Sequence, residues 1–250
     1  MDGLAGWLRT GLAELADLVL PRVCAGCGVP GAVLCGRCAG LLAVPHLAAP
    51  RRFPPGFPPT VAAGRYAGPV RPAVVAFKER GRAELARPLG TALALAVAAV
   101  LAGAVGRSPR PPVLLVPVPS SAAALRTRGR DHVRELTGRA LAELAAAGLP
   151  AAEGRLLRRT GRVRDSAGLS AAERRANLAG SFRLAAAPPA GAAVVLVDDV
   201  VTSGATLTAA AEVLATGLSP GSLPVLAAVV ASTPRGTSRS TVGGFPRQLA

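Results

Sequence analysis

Apolar and polar positions recur along this chain with periods that change from segment to segment, and the changes mark its elements. Leu4, Leu8, Leu12, Leu15 and Val19 repeat at helical spacing, so residues 3–19 read as a short amphipathic helix closed by Pro21. Val61–Tyr66 is a short strand candidate. Leu89–Val105 is the one long apolar run, within a helix predicted over about 83–104. Its length nears the roughly 17 residues of the shortest membrane span, but alanine adds little to insertion, and a buried helix is the expectation. Val113-Leu114-Leu115-Val116 reads as the first central strand, a helix runs from His132 to about Ala147, and Leu156-Leu157-Arg158-Arg159 reads as the second strand. Ser181–Leu184, Ala193–Val197 and Val225–Ala231 complete the strands. Such strand–helix alternation predicts an α/β fold with a mainly parallel sheet flanked by helices.

Proline sets the boundaries. Pro45, Pro50, Pro54, Pro55, Pro58 and Pro59, with Arg51 and Arg52, predict a semi-rigid linker over residues 45–60. It separates an N-terminal module, 1–44, from a main domain, 61–235. Residues 236–250, rich in glycine, serine, threonine and arginine, read as a disordered tail.

Composition changes this picture in two ways. The formal charge of +15 favours anionic partners, although it comes almost wholly from arginine, a bias that genomic base composition alone can produce. Lys78 is the single lysine, a compact charge able to meet a phosphate or pyrophosphate oxygen; a solvated helix end is the other reading. Only 3% of residues are aromatic, which leaves few stacking platforms for single-stranded nucleic acid. The N-terminus carries Asp2, Glu14 and Asp17 and no basic lead-in, a poor secretory signal, so a soluble cytoplasmic protein is expected.

All four cysteines lie in Cys24-Ala25-Gly26-Cys27 and Cys35-Gly36-Arg37-Cys38, two C-x-x-C pairs with seven residues between them. That spacing predicts a closed structural Zn²⁺ site. A disulfide needs an oxidising compartment that nothing here supports, and a redox C-x-x-C would not need a second pair. So small a module has almost no core, and metal binding should supply most of its folding free energy. His46, just beyond, reads as solvated because the ligand set is already full.

The most informative stretch is Val194-Val195-Leu196-Val197-Asp198-Asp199-Val200-Val201-Thr202-Ser203-Gly204-Ala205-Thr206-Leu207. An apolar strand ends in two carboxylates, where ligands bind in open α/β folds. Thr202, Ser203, Gly204, Ala205 and Thr206 then offer hydroxyls and backbone N–H groups at a helix start, suited to a phosphate. A phosphate beside two acids would be repelled unless the acids face something else, so a sugar phosphate is the simplest ligand, its hydroxyls donating to Asp198 and Asp199. A buried strand with an acidic helix cap is the bland alternative.

This stretch closely resembles the phosphoribosyl-pyrophosphate signature of type I phosphoribosyltransferases, and with the cysteine module the chain resembles the ComF family. The segment Tyr66-Ala67-Gly68-Pro69-Val70-Arg71 leading to Lys78 and Arg80-Gly81 is also similar to ComF proteins. The resemblance implies a magnesium-assisted site for phosphoribosyl pyrophosphate and, as catalytic groups, Asp198 and Asp199. It places Pro117-Val118-Pro119-Ser120-Ser121 where such enzymes receive pyrophosphate, with Ser120 a candidate donor. Ser121 and Ser120 also suit the N-cap of the next helix. It further implies a closing loop ahead of Ala176-Asn177, with Arg174 or Arg175, but not both, touching pyrophosphate. Arg130-Asp131-His132 departs from the family's usual residues, leaving a basic turn at Arg126, Arg128 and Arg130, and His132 is expected to cap or pack. No segment announces a nucleobase pocket, so the acceptor is open. The competing implication is a DNA-uptake factor of natural competence that binds single-stranded DNA or a competence-machinery protein, with the ribose-phosphate site used for binding alone.

Overall fold

The computed structural model describes residues 22–49, 54–104, 111–160 and 180–234. The N-terminal helix, the closing loop with Arg174 and Arg175, and the tail read from the sequence lie outside the described residues. Eight strands are found among the described residues: β1 (His46–Leu47), β2 (Thr60–Arg65), β3 (Val113–Pro117), β4 (Ala151–Glu153), β5 (Leu157–Arg159), β6 (Phe182–Leu184), β7 (Ala193–Val201) and β8 (Leu226–Ser232). Six form one sheet in the order β1-β2-β8-β7-β3-β4, parallel throughout except for β1 against β2. The expected mainly parallel sheet is therefore present.

The central strand is β7, and its pattern explains its place. Val194 and Leu196 pack on one face with Leu207, Ala210 and Leu214, while Val195 and Val197 pack on the other with Phe77, Leu89 and Leu136. A strand apolar on both faces belongs in the middle of a sheet covered on both sides. One cover comprises α2 (Val70–Glu79), α3 (Ala86–Ala104, led in by a 3₁₀ turn at Ala83–Leu85) and α5 (His132–Ala146). The other comprises α6 (Ala205–Ala215) and a hairpin of β5 against β6. Ala83–Ala104 is, among the described residues, the one helix long and apolar enough to cross a membrane. Its apolar window is 56% buried, as befits a helix lodged between α5 and the sheet.

Two strands depart from the sequence reading. The strand that follows β3 in the main sheet is the edge strand Ala151-Ala152-Glu153, which the sequence reading missed, while Leu157–Arg159 is a strand of the separate hairpin; the three residues of β4 carry no β-branched side chain and leave no period to detect. Gly154 is buried against Val116 and Leu156, and from there the chain leaves the sheet to form the hairpin with Phe182–Leu184. In addition, β7 continues past its two acids to Val201, because β8 pairs with it as far as Ser232. On its other edge β3 stops at Pro117, opposite Val197. The acids therefore sit where one neighbour has ended and the other has not.

The cysteine module, with α1 (Gly36–Gly40) at its second C-x-x-C, rests on the sheet edge. Leu42 is buried in the main core, and Ala25, Val33 and Leu34 pack against it. Residues His46–Leu47, read as linker, pair with β2, and His46, read as solvated, contacts Ser232 Oγ at 3.0 Å. Contact is closest at Gly64 of β2, where a Cβ would lie 2.5 Å from the Leu41 carbonyl oxygen and 2.8 Å from Leu42 Cδ2. Gly64→Ala should therefore cost about 1–3 kcal/mol in chemical denaturation, as overpacking of a tight contact does. An unchanged midpoint would contradict the docking.

Candidate functional site

From β3 the chain passes through α4 (Ala122–Arg128) and α5 to β4, on one side; β7 lies on the other side of β3 and leads on to β8. The strand order reverses between β3 and β7. At such a switch point the connections leave in opposite directions and open a crevice at the carboxyl ends. A cavity of about 400 Å³ occupies this place. It is walled by the loop after β3, the end of β7, the turn into α6, the end of α2 and the start of α5.

Neighbouring residues of a strand point to opposite faces, so the acid pair is divided. Asp199 turns toward α2 and α5, where its Oδ2 meets Lys78 Nζ at 2.8 Å and His132 Nε2 at 3.2 Å. Its Oδ1 accepts from the Val200 backbone N–H at 2.7 Å, and the residue is 2% exposed. Burial alone would raise this carboxyl, but the His132 hydrogen bond and the Lys78 ammonium outweigh it and hold the group well below the ordinary carboxylate range. Lys78 responds in kind. Burial opposes its charge, yet Asp199 and Asp198 together raise its pKa. Asp198 turns to the other face and accepts from the Asp199 backbone N–H at 2.8 Å. Burial and the charge of Asp199 push its carboxyl well above the usual value. Both acids, the pair the sequence singles out, line the cleft, and of the two Asp199 is also engaged by Lys78 and His132.

The loop after β3 is held from below. Ser121 caps α4 by accepting from the Ala124 backbone N–H at 3.1 Å, while Ser120 lines the cleft with its hydroxyl 3.4 Å from Asp131 Oδ1. Asp131 in turn caps α5 by accepting from the Arg134 backbone N–H. Of the expected basic turn, Arg126 is exposed and Arg130 is committed to Glu135, to the Phe77 carbonyl at 2.9 Å and to the Phe77 ring. Arg128 reaches the cleft but pairs in a two-pronged contact with Glu79. Arg159, at the end of β5, differs. Its guanidinium stands 5.3 Å from the Phe182 ring centre and donates to the Pro119 carbonyl at 3.4 Å; its buried Nε has no partner among the described residues. Desolvation lowers its pKa, and the charge of Asp198 opposes that fall.

Opposite lies the turn into α6. Gly204 adopts φ +81°, a left-handed conformation that glycine tolerates best, and no side chain caps the helix. Thr202 and Thr206 line the cleft, whereas Ser203 is exposed, its hydroxyl 3.4 Å from the Ala205 backbone N–H. The α6 N-terminus thus faces the cleft, where first-turn N–H groups can meet an anion, that of Ala205 being shared with the Ser203 hydroxyl. Sequence reasoning missed Arg159 and the part played by His132. Arg159 carries no motif, and a histidine following an aspartate N-cap looks like any first-turn residue.

Away from the cleft, the four cysteine sulfurs lie within 4.8 Å of one another, with Cys27 and Cys35 3.6 Å apart. Four sulfurs about 2.3 Å from a tetrahedral metal would stand about 3.8 Å apart, so the set fits a metal ion. The Cys24 sulfur accepts from the Cys35 backbone N–H at 3.3 Å. Burial opposes its charge, but this and neighbouring N–H groups lower its pKa to about 6, so a thiolate is available there. No protein-family model matches the sequence, and no curated protein matches it.

The divided acids should have opposite effects on stability. Asp198 has a raised folded pKa, so its charge opposes folding at neutral pH, and Asp198→Asn should raise the melting temperature by a few degrees. Asp199 has a depressed folded pKa, so its stabilisation is present above the unfolded value and is lost as pH falls through the folded one. Asp199→Asn should therefore lower the melting temperature at pH 7, with a deficit that narrows below about pH 4. Equal losses in both variants, independent of pH, would contradict the assignment.

Proposed function

We propose that the switch-point cleft binds 5-phosphoribosyl 1-pyrophosphate with Mg²⁺, and that the chain is a ComF-like protein of the type I phosphoribosyltransferase superfamily, with an unassigned acceptor. One observation carries the reading: the loop after β3, the carboxylate of Asp198 and the uncapped turn into α6 line one cavity of about 400 Å³. These are the chemical requirements of a sugar flanked by phosphates, namely an acceptor in the middle and donors at either end.

The 5-phosphate would take backbone N–H groups of residues 203–206 and the Thr202 and Thr206 hydroxyls, with the positive end of α6 behind it. Ribose hydroxyls would donate to Asp198. Pyrophosphate would lie toward Ser120 and Arg159, the latter a guanidinium in the cleft without a carboxylate partner among the described residues. Magnesium, bound with the pyrophosphate, would offset the charge of the leaving group, and Asp198 is the carboxylate open to it. If transfer occurs, the bond from the anomeric carbon to pyrophosphate breaks as positive charge grows on that carbon, and the Asp198 carboxylate stabilises it. Lys78, held by Asp199 yet with its side chain 31% exposed, retains donors for a phosphate oxygen. In the same reading the four cysteines hold a structural Zn²⁺.

Calorimetry with phosphoribosyl pyrophosphate and Mg²⁺ tests this. Wild type should bind, while Asp198→Asn and Arg159→Ala should each weaken binding at least about tenfold, the loss of one charge-assisted contact. Wild-type affinity in both variants would refute the site. Metal analysis of the reduced protein should find one zinc per chain, and finding none would remove the finger from the proposal.

A further inference from the structure

The cysteine module touches more than the sheet edge. Its first metal-binding turn, Cys24–Cys27, lies against both ends of the helix that carries Lys78. At the start of α2, Gly26 is wedged between Pro69, the residue that precedes the helix, and the Cys38 sulfur. A Cβ on Gly26 would stand 2.9 Å from the Pro69 carbonyl oxygen and 2.9 Å from that sulfur. At the far end, the Arg82 guanidinium reaches back and donates to the Val23 carbonyl at 3.0 Å, next to Cys24. Arg82 is itself tied to the end of α2, its backbone N–H donating to the Ala76 carbonyl, and its Nε is held by Glu84 at 2.7 Å. The second half of the module backs the neighbouring strand. Leu41 and Leu42 close over Gly64 of β2, two residues before Tyr66, which lines the cleft beside Lys78.

One wall of the cleft is thus supported from behind by these contacts. The helix α2 links the metal-binding turn to Asp199: Phe77 is fully buried and edge-on to His132, and Lys78 lies in its last turn. Among the described residues 22–44 the module has little core to keep its shape without a metal: Cys24, Cys38 and Leu42 are the buried apolar ones, and Leu42 belongs to the main core. We propose that the Cys24–Cys27 turn is a positioning element for Lys78, so that metal occupancy of the four cysteines sets the order of α2 and, through it, the ligand affinity of the cleft. Gly26 and Arg82 are the positioning residues. Loss of the metal, or oxidation of the four thiols to two disulfides by a two-electron oxidant per pair, releases the turn from Pro69 and Arg82. Lys78 then loses its fixed approach to Asp199. This inference rests on the ligand reading only for its second half, since the coupling to α2 stands on the contacts alone.

Hydrogen exchange by mass spectrometry on the full chain separates the two halves. With the metal in place, α2 (residues 70–79) should be protected; after chelation under reducing conditions, its amides should exchange at least about tenfold faster, while β7 and β8 keep their protection. Gly26→Ala and Arg82→Ala, assayed with metal content unchanged, should each speed exchange in α2 several-fold. Both should weaken calorimetric binding of Mg²⁺–phosphoribosyl pyrophosphate more than Arg155→Ala, a surface control. A purified protein that holds no metal when its thiols are reduced, or α2 exchange unmoved by both variants, overturns the proposal. Faster α2 exchange without any binding of the probe to wild type supports the coupling and overturns only the ligand reading.

Discussion

A carboxylate buried under an ammonium and an imidazole is the constraint on which the cleft depends. Asp199 lies on a central strand, 2% exposed, and an ionised acid cannot stay there alone. Lys78 from α2 and His132 from α5 meet the same oxygen, so one ion pair ties the two helices of that face to the strand. The arrangement costs desolvation and is retained where it positions something. Here it fixes the end of α2 and the start of α5 around the reversal between β3 and β7. It also leaves Asp198, one residue earlier and on the opposite face, as the acid of the cleft that neither Lys78 nor His132 holds in contact.

Sequence and structure agree where local pattern decides. The doubly apolar run of β7, the hydroxyl-rich turn with Gly204 and the two C-x-x-C pairs were all legible, since each is short and carries its own physics. Strand β4 was not, because Ala-Ala-Glu owes its conformation to pairing with β3 rather than to propensity. The division of the acids could have been foreseen from the period of two along a strand, but that inference needs β7 to continue past them. Only pairing with β8 makes it do so. Lys78 stood out as a lone lysine; that its partner would be Asp199, over a hundred residues away, is a tertiary fact.

The cysteine module and the cleft belong to one mechanical unit. Its turn bears on α2 at Pro69 and Arg82, its second half bears on β2 at Gly64, and those two elements carry Lys78 and Tyr66. The glycines at 26 and 64 are there because backbone and sulfur leave no room for a Cβ. A small four-cysteine appendage in this way backs one wall of the cleft without contributing a residue to its lining.

The most direct measurement is a crystal structure of the chain with phosphoribosyl pyrophosphate and Mg²⁺ bound. The account predicts the 5-phosphate on the turn at residues 202–206, ribose hydroxyls on Asp198 and pyrophosphate between Ser120 and Arg159, with Asp199 still paired to Lys78. A ligand seated elsewhere, or one held by Asp199 after release from Lys78, would contradict it.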